Sequence, residues 1–428
     1  MRKAILRPMT TTSVLPAAKV SMSRAWLVVG LLSVVGCLNY LDRVMITTMR
    51  DSITSAMPMT DAQFGLLTSV FLWVYGGLSP FAGFLADKFN RSRVIMVSLF
   101  VWSAVTWLTA HVTTFDQLLA TRALMGISEA CYLPAALALI ADYHRGSTRS
   151  LATGIHMGGV MVGQSLGFLG GWIAESHHWT DAFSVFGLVG IVYAFVLMFL
   201  LKEAPQKMMA AVVNNEKADQ RVNFLDAIKK LFGNASFILL LFFWGMLGMI
   251  GWMTIGWLPT YYKEHFNLSQ TLAGVYATGY LYPVAFVGAI LGGYLADRAS
   301  KKNEKNRILV PAIALAIAAP AVLIASSTTV LYVTIAGFLV YGLTRIFADV
   351  NLMPILCILS DKRYRATGYG VLNLFATFVG GLGIYASGAL RDAHINLSIL
   401  FKVAAFMLLL SVFILLIIRR LSKNAPVE

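Results

Sequence analysis

Long apolar stretches separated by short polar segments run along the whole of the 428-residue chain. The apolar residues are continuous rather than alternating, and each stretch is close to the roughly 20 residues that an α-helix needs to cross a bilayer. The pattern predicts an all-α integral membrane protein with twelve transmembrane helices. The predicted spans are 26–48, 63–86, 93–111, 116–140, 150–173, 182–201, 236–262, 270–296, 307–326, 330–358, 367–390 and 397–418.

The longest polar interval, 202–230, divides these spans into two sets of six. The chain therefore divides into an N-terminal segment 1–25, a first six-helix half 26–201, a linker 202–235, a second six-helix half 236–418 and a tail 419–428.

The two halves also share sequence. Gly-x-Leu-Ala-Asp followed by a basic run occurs at 83–93 and again at 292–302. In a second pair of matching stretches, Glu129 and Asp349 each stand five residues before a proline. Two pseudo-symmetric halves are the arrangement that alternating access uses, because one half rocks against the other around a central site.

Composition agrees with a membrane protein and excludes a soluble one. Only 13% of the residues are charged, against about 25% in a soluble domain, and the mean hydropathy is +0.73. The net charge of +14 comes from short basic runs that lack the interleaved aromatic residues of a nucleic-acid surface. We therefore expect a lipid bilayer around the protein and no nucleic-acid partner. The three cysteines lie inside apolar stretches without disulfide or zinc spacing, so no metal site is predicted.

The basic residues also predict the orientation. If the N-terminus is cytoplasmic, 27 of the 34 Lys and Arg residues fall in cytoplasmic segments, and four fall in the opposite loops or at their borders. An excess of Lys and Arg marks the cytoplasmic side of a membrane protein. Both termini are therefore predicted in the cytoplasm, in a multi-pass protein of the cell (inner or plasma) membrane.

Four charged residues lie in the interior of the predicted spans of the first half, away from their first residues. Asp42 and Arg43 are adjacent in CLNYLDRVMITTM, and Arg122 and Glu129 are seven residues apart on one face of the fourth span. A charge at the bilayer centre costs about 2.5–3.5 kcal/mol on insertion scales and usually faces a cavity or a partner.

These four residues are candidates for proton coupling and substrate binding. We expect Asp42 and Glu129 to be the proton-coupling sites. Burial and a neighbouring arginine shift the pKa of a carboxyl group in opposite directions, so such a group can take up and release a proton. In the substrate site, Arg43 is predicted to bind an anionic group and Arg122 to pair with whichever carboxylate is charged. The alternative is a static ion-pair cluster that holds the first and fourth spans together.

Other polar and aromatic residues are candidates for the lining of a substrate site. Arg345 and Asp349 stand at i and i+4 in the tenth span, which suits either a local ion pair or a substrate contact. A sugar-like ligand needs hydrogen bonds and flat aromatic faces in a cavity. The remaining candidate substrate-binding residues, each with helix packing as its alternative, are Tyr75, Gln164, Trp252, Tyr276, Asn351 and Asn373.

Two further features predict how helices meet and move. A stripe of small residues in the fifth span lets helices pack closely, and it consists of Gly159, Gly163, Gly167 and Gly171. The repeated loop motif predicts a cytoplasmic gate that breaks when the protein opens inward, formed by Gly83, Asp87, Arg91, Arg93 and Asp297. A simple contribution of this loop to the basic inner surface is the alternative.

The whole chain resembles the major facilitator superfamily in its twelve spans, its long central interval and its duplicated Gly-x-Leu-Ala-Asp loop. Three stretches are similar to the anion:cation symporter branch, which carries sugar acids and other organic anions with protons: NYLDR (39–43), TRALMGISEACYLP (121–134) and WLPTYY (257–262). This resemblance implies the roles given above to the four charged residues, a substrate contact for Tyr75 and a functional monomer. The spinster-like branch, associated with amphipathic lipids, has a similar Asp-Arg pair and Arg/Glu pair.

We therefore expect a secondary active transporter that moves an organic anion, such as a sugar acid, together with protons by alternating access. The chain contains neither HExxH nor GxxxxGK[ST], so no enzyme and no ATP-driven pump is predicted, and the proton is the only coupling ion or cofactor expected. The alternatives are a spinster-like carrier of lysolipids and, as a different class, a membrane sensor that binds without transport.

Overall fold

The structure is a computed structural model that describes residues 21–144, 148–204, 224–301 and 303–422. Most of the predicted N-terminal segment, much of the linker and part of the tail lie outside these residues. The first half contains α1 (Met22–Thr48), α2 (Arg50–Ala56), α3 (Asp61–Lys88), α4 (Arg91–Thr109), α5 (Phe115–Ala130), α6 (Tyr132–Tyr143), α7 (Arg149–Ser165), α8 (Phe168–Ser176) and α9 (Trp179–Leu200). The second half follows α10 (Phe224–Phe232) and contains α11 (Ala235–Phe266), α12 (Gln270–Gly274), a π-helical turn (Val275–Gly279), α13 (Leu281–Ser300), α14 (Asn306–Ala325), α15 (Leu331–Leu359), α16 (Arg365–Asp392) and α17 (Leu397–Leu421).

Within the part of the chain that the structure describes, eleven helical spans are long and apolar enough, by length and composition, to cross a membrane, and each coincides with a predicted span. The fifth predicted span, 150–173, is instead divided between α7 and α8. Leu166 and Gly167 at the junction keep right-handed helical dihedral angles, and the Leu166 amide donates to Val162 O at 2.9 Å. The segment therefore stays helical with one irregular turn.

Short polar residues begin several of the helices. Thr60 and Gln63 form a capping box at the start of α3, in which each side chain accepts a hydrogen bond from the backbone amide of the other residue. The side chains of Asn90, Thr114 and Asn234 accept backbone N–H groups at the starts of α4, α5 and α11. These caps satisfy amides that have no partner within the helix.

The predicted linker ends in the short helix α10. Ala227 and Leu231 of this helix are buried in the hydrophobic core that includes the second half. Lys230 Nζ lies 5.7 Å from the ring centroid of Tyr364. The last part of the linker is thus packed onto the second half.

The predicted glycine stripe packs against α1. A methyl group added at Gly159 would overlap the carbonyl group of Ser33, and one added at Gly163 would overlap that of Cys37. A methyl group added at Gly167 would overlap the side chain of Val44, and one added at Gly171 would lie 2.9 Å from Thr48 O. The prediction that this stripe allows close helix packing is confirmed.

The two halves meet along two seams. In the first seam α3 packs along α16, where Ser69 Oγ donates to Gly381 O at 2.7 Å. In the second seam α7 and α8 face the π-helical turn, where Ser165 Oγ donates to Gly279 O at 3.3 Å. We name the two faces of the bundle after the predicted orientation: the inner face carries the described chain ends, and the outer face is opposite.

Charged residues close the outer face. Asp392 of the second half accepts hydrogen bonds from the Asp61 and Ala62 amides, at 2.8 and 2.9 Å, at the start of α3. The ion pairs that join the halves are Arg391–Asp61, Lys263–Asp51 and Arg50–Glu264. These three ion pairs lie at the same face, so the bundle is closed at its outer face.

Candidate functional site

The four charged residues of the first half form one buried cluster where α1 meets α5. Asp42, Arg43, Arg122 and Glu129 are each at most 4% exposed. Two of them are bases and two are acids, so the cluster has no net charge when all four are ionised. Burial of a charge is tolerated where an opposite charge or a hydrogen bond compensates it.

Arg43 makes the central contact of this cluster. Its Nε donates to Glu129 Oε2 at 2.6 Å. Its Cζ lies 4.6 Å from the ring centroid of Tyr40, 5.0 Å from that of Phe71 and 4.4 Å from that of Tyr75. A desolvated cation–π contact contributes about 2 kcal/mol. Three aromatic rings and one carboxylate therefore hold the guanidinium in place.

Asp42 and Arg122 are less completely paired. Asp42 Oδ2 accepts a hydrogen bond from Thr106 Oγ1 at 3.2 Å. Arg122 Nη1 contacts Met125 Sδ at 2.9 Å, and its Nε and Nη2 have no hydrogen-bond partner among the residues that the structure describes. Glu129 Oε1 is also without a described partner. In this conformation Arg122 contacts neither carboxylate, so the predicted pairing of Arg122 with a charged carboxylate is not formed here.

A cavity of about 300 Å³ lies between the halves. The first half contributes Tyr40, Met161 and Gln164 to its wall. Most of its polar and aromatic wall comes from the second half, through Trp244, Trp252, Tyr282, Tyr341, Arg345, Asp349 and Asn373. The second half therefore supplies most of the chemistry that a molecule in this cavity would meet.

Arg345 and Asp349 form an ion pair in the wall of this cavity. Arg345 Nη1 donates to Asp349 Oδ2 at 2.6 Å, and Nη2 donates to Leu247 O at 3.2 Å. A methyl group added at Gly251 would lie 2.8 Å from Nη2, so the guanidinium rests directly on the α11 backbone. The side chains are 21% and 25% exposed. The predicted i, i+4 ion pair is confirmed, and it lines the cavity.

Tyr40 separates the buried cluster from the cavity. Its ring lines the cavity and lies against the Arg43 guanidinium. Arg43 itself is 4% exposed and does not contribute to the cavity wall. The sequence contains a signal for this role, because Tyr40 stands three residues before Arg43 and so shares its helix face.

The remaining predicted substrate residues are placed in three ways. Tyr75 packs against Arg43 rather than lining the cavity. Tyr276 lies 6.0 Å from Tyr262, centroid to centroid, and Asn351 is fully buried with its Nδ2 donating to Phe347 O at 2.9 Å. Neither of these two residues lines the cavity. The predicted residues that do line it are Gln164, Trp252 and Asn373.

The predicted gate residues make their described contacts within single halves. Arg91 pairs with Asp142 in the first half. Asp297 Oδ1 accepts a hydrogen bond from Arg307 Nη2 at 2.5 Å in the second half. The other gate candidates are Arg93, whose side chain is exposed, and Gly83 and Asp87, which lie outside the residues whose surroundings are described.

Residues 163–167 read Gly-Gln-Ser-Leu-Gly and match the Gly-x-Ser-x-Gly pattern of many hydrolases. In those enzymes the serine stands on a sharp turn between a strand and a helix. Here Ser165 is the last residue of α7, and its hydroxyl donates to a backbone carbonyl group of the other half. The motif lacks the structural context of a nucleophile.

Two helical halves that enclose a partly polar cavity define a membrane transporter rather than an enzyme. The chain belongs to the Major Facilitator Superfamily, whose family model matches residues 32–384. The family resemblance expected from the sequence is therefore confirmed.

Relatives of two kinds are similar to this chain. "Protein spinster homolog 1" of Xenopus laevis is 27% identical over 322 residues, which cover 70% of this chain and only 60% of that protein. "Probable galactarate/D-glucarate transporter GudP" of Bacillus subtilis (strain 168) is 27% identical over 317 residues, covering 68% of this chain and 69% of that protein. The chain thus resembles both the spinster and the anion-transporting branches.

A solved structure confirms the fold. The crystal structure of a bacterial homolog to human lysosomal transporter, spinster, superposes with a TM-score of 0.72 at 21% identity. The superposition covers 94% of this chain and 96% of that one. The predicted all-helical transporter fold is therefore correct.

Proposed function

We propose that this chain is a secondary active transporter that carries an organic anion, such as a sugar acid or similar carboxylate, together with protons. The observation that supports the proposal is that the structure contains both a cavity lined by Arg345 and, separately, a buried ion pair between Arg43 and Glu129. An arginine recognises a carboxylate. A buried carboxyl group beside an arginine changes its proton affinity when its surroundings change.

The cavity suits a small hydroxylated molecule. Its volume of about 300 Å³ lies at the lower end of the range for small-molecule sites, which is about 300–1,000 Å³. Trp244 and Trp252 provide flat indole surfaces, and Trp244 Nε1 donates to Asn373 Oδ1 at 3.4 Å. Gln164 adds amide groups from the first half. Together these groups can stack on a polyol chain and hydrogen-bond its hydroxyl groups.

Proton coupling is assigned to the buried cluster. When Glu129 takes up a proton, its contact with Arg43 weakens, and the guanidinium can attract an anion once Tyr40 moves aside. The anion then neutralises the buried positive charge, which lets the loaded carrier change conformation. Asp42 is the second proposed proton site, and Arg122 stabilises whichever carboxylate is ionised. The predicted cytoplasmic termini, cell-membrane location and monomeric state belong to this same proposal.

The test is uptake into proteoliposomes of labelled D-glucarate, glucose and a lysolipid. An inward proton gradient is imposed and then collapsed with an ionophore. Gradient-dependent accumulation of D-glucarate but not of glucose is the expected result. Movement of the lysolipid with none of the acid would refute anion symport.

A second candidate function is transport of a lysolipid or similar amphiphile. It is favoured by the similarity to spinster homolog 1 and by the apolar part of the cavity wall, which includes Ile255, Leu281 and Ile346. An acyl chain extends beyond a cavity of this size, so this function requires the halves to separate further. Saturable uptake of the lysolipid in the same assay would establish it.

A further inference from the structure

We propose that Asp349 is a proton-coupling carboxylate of the second half, whose protonation frees Arg345 to bind the anionic group of the substrate. This inference rests on the proposed function. It adds a proton site in the wall of the cavity itself, apart from the buried cluster of the first half.

The charge balance of the cavity is the first reason. Of the described residues that line the cavity, Arg345 and Asp349 are the two that carry a full charge, so its wall is neutral when both are ionised. An anion that enters alone adds an uncompensated charge to a poorly solvated site, which is unfavourable. An anion with a single negative charge that enters together with one proton leaves the wall and its contents neutral.

The geometry of Arg345 is the second reason. Both terminal nitrogens already have an acceptor, because Nη1 donates to Asp349 Oδ2 at 2.6 Å and Nη2 to Leu247 O at 3.2 Å. The guanidinium cannot withdraw towards α11, since the Gly251 backbone lies directly against it. Each terminal nitrogen keeps a second N–H group, and Nε has no partner among the described residues. A substrate carboxylate that binds these groups lies close to the negative charge of Asp349, which already pairs with Nη1. Protonation of Asp349 removes this repulsion and loosens its contact with Nη1, because a neutral carboxyl group accepts a hydrogen bond more weakly than a carboxylate does.

Among the described titratable groups near the Arg345 guanidinium, Asp349 is the one carboxyl group. Tyr341 of α15 and Tyr282 of α13 are the other titratable groups near the guanidinium, and Tyr40 of α1 lies beside Tyr282. Phenol groups ionise only in alkaline solution. Among their described residues, α11 and α16 add no acid or base to the cavity wall.

The internal repeat supports the same role. Glu129 and Asp349 stand at matching positions, five residues before a proline, and each forms a 2.6 Å contact with an arginine of its own half. The two pairs differ in access. The side chain of Glu129 is fully buried, whereas that of Asp349 is 25% exposed. A proton and an anion in the cavity therefore reach the Asp349 pair without the movement of Tyr40 that the first pair requires.

The first test measures binding of labelled D-gluconate, a sugar acid with one carboxylate, to the purified full chain over a series of pH values. For each linked proton, affinity rises by up to about tenfold per pH unit as the pH falls. In the Asp349→Asn variant the dependence of affinity on pH should correspond to one linked proton fewer. At high pH this variant should bind the ligand as tightly as the unmodified protein does at low pH. Asp349→Glu should restore the slope. Asp361→Asn, which removes an exposed carboxylate from a loop outside the cavity, is the matched control and should leave the slope unchanged.

The second test does not depend on a ligand. Infrared difference spectra between low and high pH contain a carbonyl band for each carboxyl group that takes up a proton. One such band should disappear in Asp349→Asn and remain in Asp361→Asn.

The outcomes separate the two proposals. Binding with an unchanged slope and an unchanged infrared band in Asp349→Asn would overturn this inference and leave the proposed function standing. Failure of the unmodified protein to bind or transport any acid would overturn both.

Discussion

The ion pairs of the outer face set the balance between the closed conformation and one open to the outside, and Arg391 is the residue to change. Its Nε donates to Asp61 Oδ2 at 2.9 Å across the seam, whereas its Nη atoms bind Glu264 of its own half at 2.9 and 2.8 Å. The Arg391→Met substitution removes the Arg391–Asp61 bond between the halves. It keeps a long side chain near Trp257, whose ring centroid lies 5.3 Å from the guanidinium.

The magnitude of the effect follows from the burial of this pair. Arg391 and Asp61 are 12% and 14% exposed, so solvent screens their bond only in part. A hydrogen bond to a charged group contributes about 1.5–3 kcal/mol, which is about a ten- to hundredfold change in an equilibrium constant. Methionine leaves no buried charge alone, because Asp61 still pairs with Arg50 and Glu264 is 43% exposed. We expect the ratio of closed to outward-open protein to fall by that factor.

The assay is a distance measurement between spin labels on the two halves at the outer face. Ser55 and Ala393 are exposed there and carry the labels after replacement by cysteine, in a protein without its native cysteines. Arg391→Met should add a population with a longer distance. The control is Arg363→Met, which breaks an exposed ion pair with Asp361 away from both seams. Exposed ion pairs contribute little, so this variant should keep the original distance.

An unchanged distance distribution in Arg391→Met would refute this reasoning. It would mean that the close packing of α3 on α16 holds the outer face shut without help from the charges.

Three further predictions concern other parts of the structure. In proteoliposomes, Glu129→Gln should abolish uptake driven by a proton gradient but spare substrate exchange. If gradient-driven uptake is retained as well, the proton role of Glu129 is contradicted. Tyr40→Ala should expose the arginine behind it to phenylglyoxal, and peptide mass spectrometry showing unchanged modification would contradict the barrier role of the ring. Gly163→Ala should lower the melting temperature, since overpacking costs about 1–3 kcal/mol. Gly154→Ala is its control, because an added Cβ there meets nothing within 4 Å and alanine is the better helix former; equal melting temperatures would contradict the packing argument.

The helical spans could be predicted because their cause is local. A segment that crosses a bilayer must be apolar over a minimum length and satisfy its own backbone hydrogen bonds, so the sequence around each helix contains the signal. The junction at Leu166 and Gly167 was not predicted, because an irregular turn inside a glycine-rich apolar stretch changes neither length nor hydropathy.

The candidate site could be predicted only in part. Asp42, Arg43, Arg122 and Glu129 are conspicuous in the sequence because a charge in an apolar span is costly, and the structure brings all four together. Most of the aromatic lining gave no such signal. An aromatic residue in an apolar helix looks the same whether it faces lipid, another helix or a cavity, so the sequence analysis did not select Trp244, Tyr282 and Tyr341. Tyr40 was not selected either, although its place three residues before Arg43 is a signal.

The sequence by itself determined the class of protein, eleven of its spans, the repeated motifs of its two halves and the charged residues that lie inside its helices. Only the tertiary structure decided that Arg345 lines the cavity while Arg43 lies behind Tyr40, and that the outer face is closed. The physical reason is that exposure depends on how distant helices are rotated against one another. The contact between Asp61 and Arg391 joins residues 330 positions apart, a separation over which no local pattern specifies a contact.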